Sequence, residues 1–271
     1  MDLKGKVALI TGGGSGIGAG IAKRFVNDGA KICICGRRQE MLDKVANLLP
    51  AGSVATCAGD VTKPADAERM VKTTLQFGGK VDILVNDAGI DNPGDILEID
   101  LEVWNRVIAT NMTGPMLMMR NAIPHMLKAG GGSIINIASL AGVRCIPGMP
   151  AYCASKAGLI MLTQQVALDY SPLKIRCNVV CPGAVKSMLE NPKVPLSSEV
   201  KAQIDQSMTR MTKYSPLRRA GTTAEIAAVC SFLASDESSF MTGAVLMADG
   251  GTSIVDVNAV EMIASGKKWS H

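Results

Sequence analysis

Short apolar runs recur along this chain, each followed by a longer stretch in which apolar positions return every three or four residues. Val7-Ala8-Leu9-Ile10, Ile32-Cys33-Ile34-Cys35, Ile83-Leu84-Val85, Ile134-Ile135-Asn136-Ile137-Ala138, Cys177-Asn178-Val179-Val180 and Val245-Leu246-Met247 are largely apolar at both odd and even positions. A strand reads this way when both faces are covered, the habit of a parallel sheet packed between helices. Residues 53–57 form a shorter candidate strand. Helical spacing marks residues 17–28, 39–49, 64–77, 101–127, 151–170 and 223–234. Strand–helix alternation from end to end predicts one doubly wound α/β domain, unbroken by linker, repeat or low-complexity segment.

Such sheets bind ligands beyond the carboxyl ends of their strands, so functional residues are sought just after each strand. The first is followed by Thr11-Gly12-Gly13-Gly14-Ser15-Gly16-Ile17-Gly18, the third by Asp60-Val61 and the fourth by Asn86-Asp87-Ala88-Gly89. Ser139 follows the fifth strand and Pro182-Gly183 the sixth. Gly12, Gly16 and Gly18 lie where a strand becomes a helix, and free amides at a helix start attract a pyrophosphate. No Lys-Ser/Thr follows, so this is not a Walker turn. In Ala151-Tyr152-Cys153-Ala154-Ser155-Lys156-Ala157 a phenol and an ammonium stand four residues apart, on one helix face. Positive charge beside a phenol lowers its pKa, which suits proton exchange with a carbonyl or hydroxyl near neutral pH.

Composition narrows the field. The 271 residues carry a net charge of +4 without long basic runs, and aromatics are only 3%, which argues against nucleic-acid binding. Hydrophobic residues make up 47%, yet no apolar run is long enough to span a bilayer. The start, Met1-Asp2-Leu3-Lys4-Gly5-Lys6, lacks signal-peptide character, and the expectation is a soluble, cytoplasmic protein. None of the eight cysteines forms a Cys-x-x-Cys pair, and His125 and His271 are the only histidines. Reduced, structural thiols and no metal site are expected.

Thr11-Gly12-x-x-x-Gly16-x-Gly18, the Asn-x-Ala-Gly element, Asn111, Ser139, the Tyr152/Lys156 pair and Pro182-Gly183 occur in the order found in short-chain dehydrogenases/reductases. The resemblance covers residues from about 5 to 251. It implies a Rossmann fold with a seven-stranded parallel sheet, a nicotinamide cofactor, and hydride exchange with a ketone or secondary alcohol as small-molecule substrate. By the same resemblance Tyr152 is the general acid/base, Lys156 holds the nicotinamide ribose, Ser139 orients the substrate oxygen, and Asn111 opens the helix backbone to a proton-relay water. Cofactor-binding residues implied are Gly12, Ser15, Gly16, Ile17, Gly18, Asp60, Val61, Asn86, Ala88, Gly89, Tyr152, Lys156, Pro182, Gly183, Val185 and Ser187. The chain departs from the pattern at Asp87, where a second Asn is usual, and at Ser187, where a Thr is usual.

The second strand ends Cys35-Gly36-Arg37-Arg38, with no carboxylate to receive ribose hydroxyls. Arg37 offers a phosphate a planar, always charged fork, which favours NADP, with NAD as the alternative. Domain organisation is read as a single catalytic domain over residues 1–251, a substrate-loop insertion at about 186–214, and an extension over 252–271. Segments 143–150 and 186–214 are the candidate substrate walls. Met208 and Met211 in the second suit either an apolar substrate or helix packing. Alternatives within the family are a 3-oxoacyl-thioester reductase, a hydroxysteroid dehydrogenase or an enoyl reductase; outside catalysis, a nucleotide-binding subunit. The enoyl class resembles a longer Tyr-to-Lys spacing than this one.

The stretch 101–127 carries Met112, Met116, Leu117, Met118, Met119 and Met126, more apolar surface than one sheet-facing stripe requires. Family resemblance implies that it pairs between protomers with 151–170, giving a homotetramer. The extension, with Ile254, Val255, Val257, Val260, Met262, Ile263 and Trp269, is too apolar for an idle tail. It either folds back across a subunit interface beside the substrate pocket or caps a strand and frays.

Overall fold

The computed structural model describes residues 1–190, 195–256 and 260, except for the side chains of 189 and 190. Seven parallel strands form one sheet in the order β3-β2-β1-β4-β5-β6-β7. They are β1 (Val7–Thr11), β2 (Lys31–Gly36), β3 (Val54–Ala58), β4 (Ile83–Asn86), β5 (Gly132–Ile137), β6 (Ile175–Pro182) and β7 (Val245–Ala248). The helices are α1 (Gly16–Asn27), α2 (Gln39–Ala46), α3 (Pro64–Gly78), α4 (Leu101–Ile108), α5 (Gly114–Lys128), α6 (Pro150–Tyr170), α7 (Ser187–Glu190), α8 (Ser198–Met211) and α9 (Thr223–Ala234). The sheet therefore runs outward from β1 in one direction and from β4 in the other, and the switch point lies between these two strands.

Alternation along the strands explains the unbroken apolar runs. Ala8 and Ile10 of β1, with Ile32 and Ile34 of β2, pack against Ile21 and Phe25 of α1 and Ile226 of α9. The intervening Leu9, Cys33 and Cys35 pack on the other side against Met70 of α3, Met118 of α5 and Val166 of α6. Both faces are dry, so successive side chains must be apolar whichever way they point.

Two predicted elements change. The stretch 101–127 is not one helix: α4 and α5 are separated by a π-helical turn over Ala109–Thr113, in which Gly114 N bonds Ala109 O five residues back. Pro115 has no N–H, and an α-helix would have aimed that donor at the Asn111 carbonyl, so the ladder is interrupted there. Within the 186–214 segment, α7 and α8 are helical where no helix was expected. α8 has no fully buried residue, and Met211 is exposed, so its methionines are not core packing. Of the methionine-rich stretch, Leu117, Met118, Met119 and Met126 are buried within the subunit and Met116 is left partly exposed.

Candidate active site

β1 ends at Thr11 and the chain turns through glycines into α1. Gly12 and Gly16 take φ of +74° and +56°, a left-handed backbone that suits a residue without Cβ. Close packing adds a second reason: a Cβ on Gly18 would lie 2.5 Å from Gly12 O and 2.7 Å from Asp87 Oδ2. Ser15 stands at the N-cap of α1 but makes no side-chain capping bond, and Ile17 packs against the core. Amides at this helix start face the switch-point crevice, suiting a pyrophosphate.

Asp87 resolves the departure from the family pattern. Its Oδ2 lies beneath the glycine turn and against the first turn of α1, where the positive end of the helix favours a carboxylate. The Thr11 hydroxyl accepts the Asp87 and Ala88 amides, both at 3.2 Å, and lies 3.4 Å from Val85 O, to which it donates. Thr11 thus clamps the exit of β4 to β1, a role its place in the glycine motif does not announce. The Asn86 side chain is buried and donates to Asn136 Oδ1 at 2.8 Å, tying the end of β4 to β5.

The proposed catalytic residues converge at the rim of β4, β5 and α6. Lys156 is buried, its Nζ 2.8 Å from Ile137 O and 5.7 Å from the centre of the Tyr152 ring. A Cβ on Gly89 would meet Lys156 Nζ and Asn111 Oδ1 at 3.4 Å each, so glycine keeps the floor between them open. Asn111 is buried in the π-turn. It accepts Ile90 N at 2.9 Å and donates to Ile90 O at 2.8 Å and to Ser155 Oγ at 3.0 Å. Ser155 in turn donates to Tyr152 O at 2.8 Å, linking the π-turn to α6. Ser139 caps the turn after β5, its Oγ accepting Ala141 N at 3.1 Å.

Burial sets the electrostatics. Lys156 is pulled down to about 8 by desolvation, partly offset by the Asp87 carboxylate. Burial pushes the Tyr152 phenol up; the Ser139 hydroxyl opposes this, and the Asp91 and Asp87 charges add to it. The expected lowering of Tyr152 by Lys156 is therefore not met in the protein alone. The ammonium is aimed at a backbone carbonyl, and desolvation of the phenol is the largest influence on it.

At the opposite end of the crevice Arg37 lies exposed at the end of β2, with no hydrogen bond or ion pair among the described residues. Asp60 holds the turn after β3: its N donates to Asp66 Oδ2 at 2.8 Å, and its Oδ1 accepts from Thr62. Val61 is buried against Gly114 at the start of α5. Beyond β6, Pro182 ends the strand and Gly183 abuts Asp249, where a Cβ would sit 2.8 Å from its Cα. Val185 bridges to Gly221, and Ser187 Cβ would lie 3.7 Å from a Cβ on Gly16, so the segment after β6 returns to the glycine turn.

Residues 143–150, expected to wall the substrate, are tied at both ends. Gly94 N bonds Gly148 O at 2.8 Å, and the Arg144 guanidinium donates twice to Ser253 O, at 2.9 and 3.2 Å. Met188 of α7 is exposed. Residues 191–194 and most of the 252–271 extension, on which both the fold-back and the frayed-cap alternatives fall, lie outside the described residues. Among the described residues there is no His/Cys/Asp/Glu group that could hold a metal ion and no helix able to cross a membrane.

A parallel sheet in this strand order, with its switch point between β1 and β4, is a doubly wound, Rossmann-like fold. A family model described as Enoyl-(Acyl carrier protein) reductase matches residues 12–253, and the chain belongs to the short-chain dehydrogenase/reductase family. It is 41% identical to an uncharacterized oxidoreductase of Thermotoga maritima, covering 94% of this chain and 100% of that one. It is 39% identical to 2-(S)-hydroxypropyl-CoM dehydrogenase 3 of Xanthobacter autotrophicus, covering 93% and 98%. The ligand-free aldohexose dehydrogenase of Thermoplasma acidophilum superposes with a TM-score of 0.82 at 32% identity, covering 94% and 96%.

Proposed function

We propose that this chain transfers a hydride between a nicotinamide cofactor, NADP in preference to NAD, and a secondary alcohol or ketone. The observation that carries the reading is Lys156: a buried ammonium has three donors, and its one hydrogen bond among the described residues is to Ile137 O. Unfilled donors on a buried cation call for oxygen acceptors, and ribose hydroxyls beside Tyr152 meet that need. Gly89 leaves the space, the glycine turn and Ser15 receive the pyrophosphate, and Arg37 takes the 2′-phosphate. A nicotinamide bound there supplies or accepts the hydride.

Tyr152 donates its phenolic proton to the substrate oxygen as negative charge develops on it, and takes a proton back in alcohol oxidation. Ser139 Oγ is used as an acceptor by Ala141 N, which leaves its own proton to aim at the same oxygen. Asn111 keeps the π-turn docked on Ile90 and Ser155, so the Tyr152 backbone is held from below. Relatives named as dehydrogenases of a hydroxypropyl compound, a cyclohexadiene-diol and butanediol support alcohol chemistry over reduction of a carbon–carbon double bond. Initial rates with a panel of ketones and secondary alcohols and each cofactor, read by reduced-nicotinamide absorbance, test it. No turnover with any pair would favour a nucleotide-binding subunit.

Asp91 supports a substrate with a second hydroxyl. It is exposed, makes no hydrogen bond or ion pair among the described residues, and its charge reaches both Tyr152 and Lys156. Asn111 fixes Ile90 just before it. A carboxylate so held accepts a hydrogen bond from a neighbouring hydroxyl and repels acidic substrates. Assembly as a homotetramer in the cytoplasm completes the proposal. Leu101 on α4, Met161 and Leu168 on α6, and Phe240 beyond α9 are exposed apolar side chains that an interface would cover.

A further inference from the structure

Three of the eight cysteines share one face of the sheet at the end where the adenosine half of a nucleotide would lie. Cys33 and Cys35 alternate along β2, with sulfurs 3.9 Å apart, and Cys57 on β3 stands directly opposite Cys35 in the parallel ladder. Neighbouring strands run about 4.8 Å apart, inside the Cα separation a disulfide spans. β3 is an edge strand of the sheet. What covers Cys57 is α3: Thr73 Oγ1 donates to its sulfur at 3.6 Å, and the half-exposed Arg69 side chain lies beside it.

We propose that Cys57 is a modification site for peroxides, with Cys35 as the partner thiol that closes a disulfide onto it. The Cys57 sulfur attacks one peroxide oxygen, the O–O bond breaks, and a sulfenic acid forms with release of water. The Cys35 sulfur then displaces the sulfenic oxygen, the S–S bond forms, and a second water leaves. Two thiols lose two electrons and two protons, and hydrogen peroxide takes them up as two waters.

The surroundings divide the roles. Hydrogen bonding from Cys35, then from Thr73 and Arg69, pulls the Cys57 thiol down to about 6 against its burial. Burial holds Cys35 well above the ordinary thiol range, so it stays protonated until an oxidised sulfur faces it. Cys177 and Cys230, whose thiols burial pushes far up, lack any such cation and are inert by comparison.

Oxidation at this point would be felt along the rim. Arg69 also donates to Ala58 O and to Asp66 Oδ1, both at 2.7 Å, and Asp66 Oδ2 accepts the Asp60 amide at 2.8 Å. Gly59 N bonds Gly36 O at 2.9 Å, one residue before Arg37. A disulfide between β2 and β3 removes the thiolate that Arg69 faces and draws in both strand ends carrying Arg37 and Asp60.

Treatment of the full-length protein with graded hydrogen peroxide, followed by intact mass and peptide mapping, tests the assignment. Exposed Cys145 serves as an internal benchmark. The expected result is loss of two hydrogens, mapped to a Cys35–Cys57 link, at lower peroxide than modifies Cys145, with weakened nucleotide binding that a thiol reductant restores. Cys35→Ser should stall Cys57 at the sulfenic acid, captured by dimedone. Arg69→Ala, which leaves the cysteines in place, should slow the reaction about tenfold. Cys57 found unmodified when Cys145 is consumed, or a rate indifferent to Arg69, overturns the proposal. The mass readout needs no nucleotide, so it stands or falls separately from the nicotinamide reading.

Discussion

The substitution Lys156→Met should reveal a cost built into the site. The ammonium is buried and titrates at about 8 against an ordinary 10.5. The unfolded chain therefore binds the proton more tightly than the folded one, and stability rises with pH between these two values. Below about pH 8 the folded protein carries the full burden, about 3 kcal/mol at 1.36 kcal/mol per unit. A methionine side chain would have no charge to desolvate, although the Ile137 carbonyl would lose its donor. The decisive quantity is the difference in unfolding free energy between variant and wild type, because all other titrations cancel in it. Measured by urea denaturation without nucleotide, the variant's relative stability should fall by about 2.5 kcal/mol between pH 7 and pH 10. A difference that stays constant within about 1 kcal/mol would refute the reasoning. Turnover by the variant should be lost at both pH values, so stability and activity would move in opposite directions at neutral pH.

Tyr152→Phe keeps the ring and removes the proton, so nucleotide should bind while turnover falls by about a hundredfold or more, measured by steady-state rates. With burial raising the Tyr152 phenol, its neutral form persists through neutral pH; alcohol oxidation, which uses the phenolate, should accelerate with rising pH while reduction does not. Arg37→Ala should lower affinity for NADPH more than for NADH in fluorescence titrations, and equal wild-type affinities would remove Arg37 from phosphate binding. Asn111→Leu leaves Ile90 N, Ile90 O and Ser155 Oγ without their partner and should cost about 2–4 kcal/mol in denaturant melts. If Asn111 is also a positioning residue, a kcat loss should persist at temperatures where the variant is fully folded.

The double-sided strands were legible because burial on both faces leaves an unbroken apolar run, and the rim motifs because glycine and polar residues interrupt those runs at strand ends. The inward turn of the Asn86 amide to Asn136 was not legible, because sequence order does not say which way a strand-end side chain faces. The opening at Asn111 was implied only by the family resemblance, because helical periodicity masked its local signal: Gly114-Pro115 removes a donor in the middle of an apolar stretch. The tyrosine environment lay beyond reach, since Asp87 and Asp91 come from the segment after β4, far from Tyr152 in sequence, and their charges count only once the chain is folded.

The strand order has a consequence during synthesis. β1, β2 and β3 are consecutive in the chain and adjacent in the sheet, so they can pair as soon as Ala58 emerges. The other edge of β1 has to wait for β4, which ends at Asn86, and β4 then waits for β5, which ends at Ile137. At about 5–20 residues per second, the nascent half-sheet presents the bare, apolar edge of its central strand for seconds. Any factor that shields unpaired strand edges would act in this interval, after the glycine turn has left the ribosome and before the proton-transfer residues have been made.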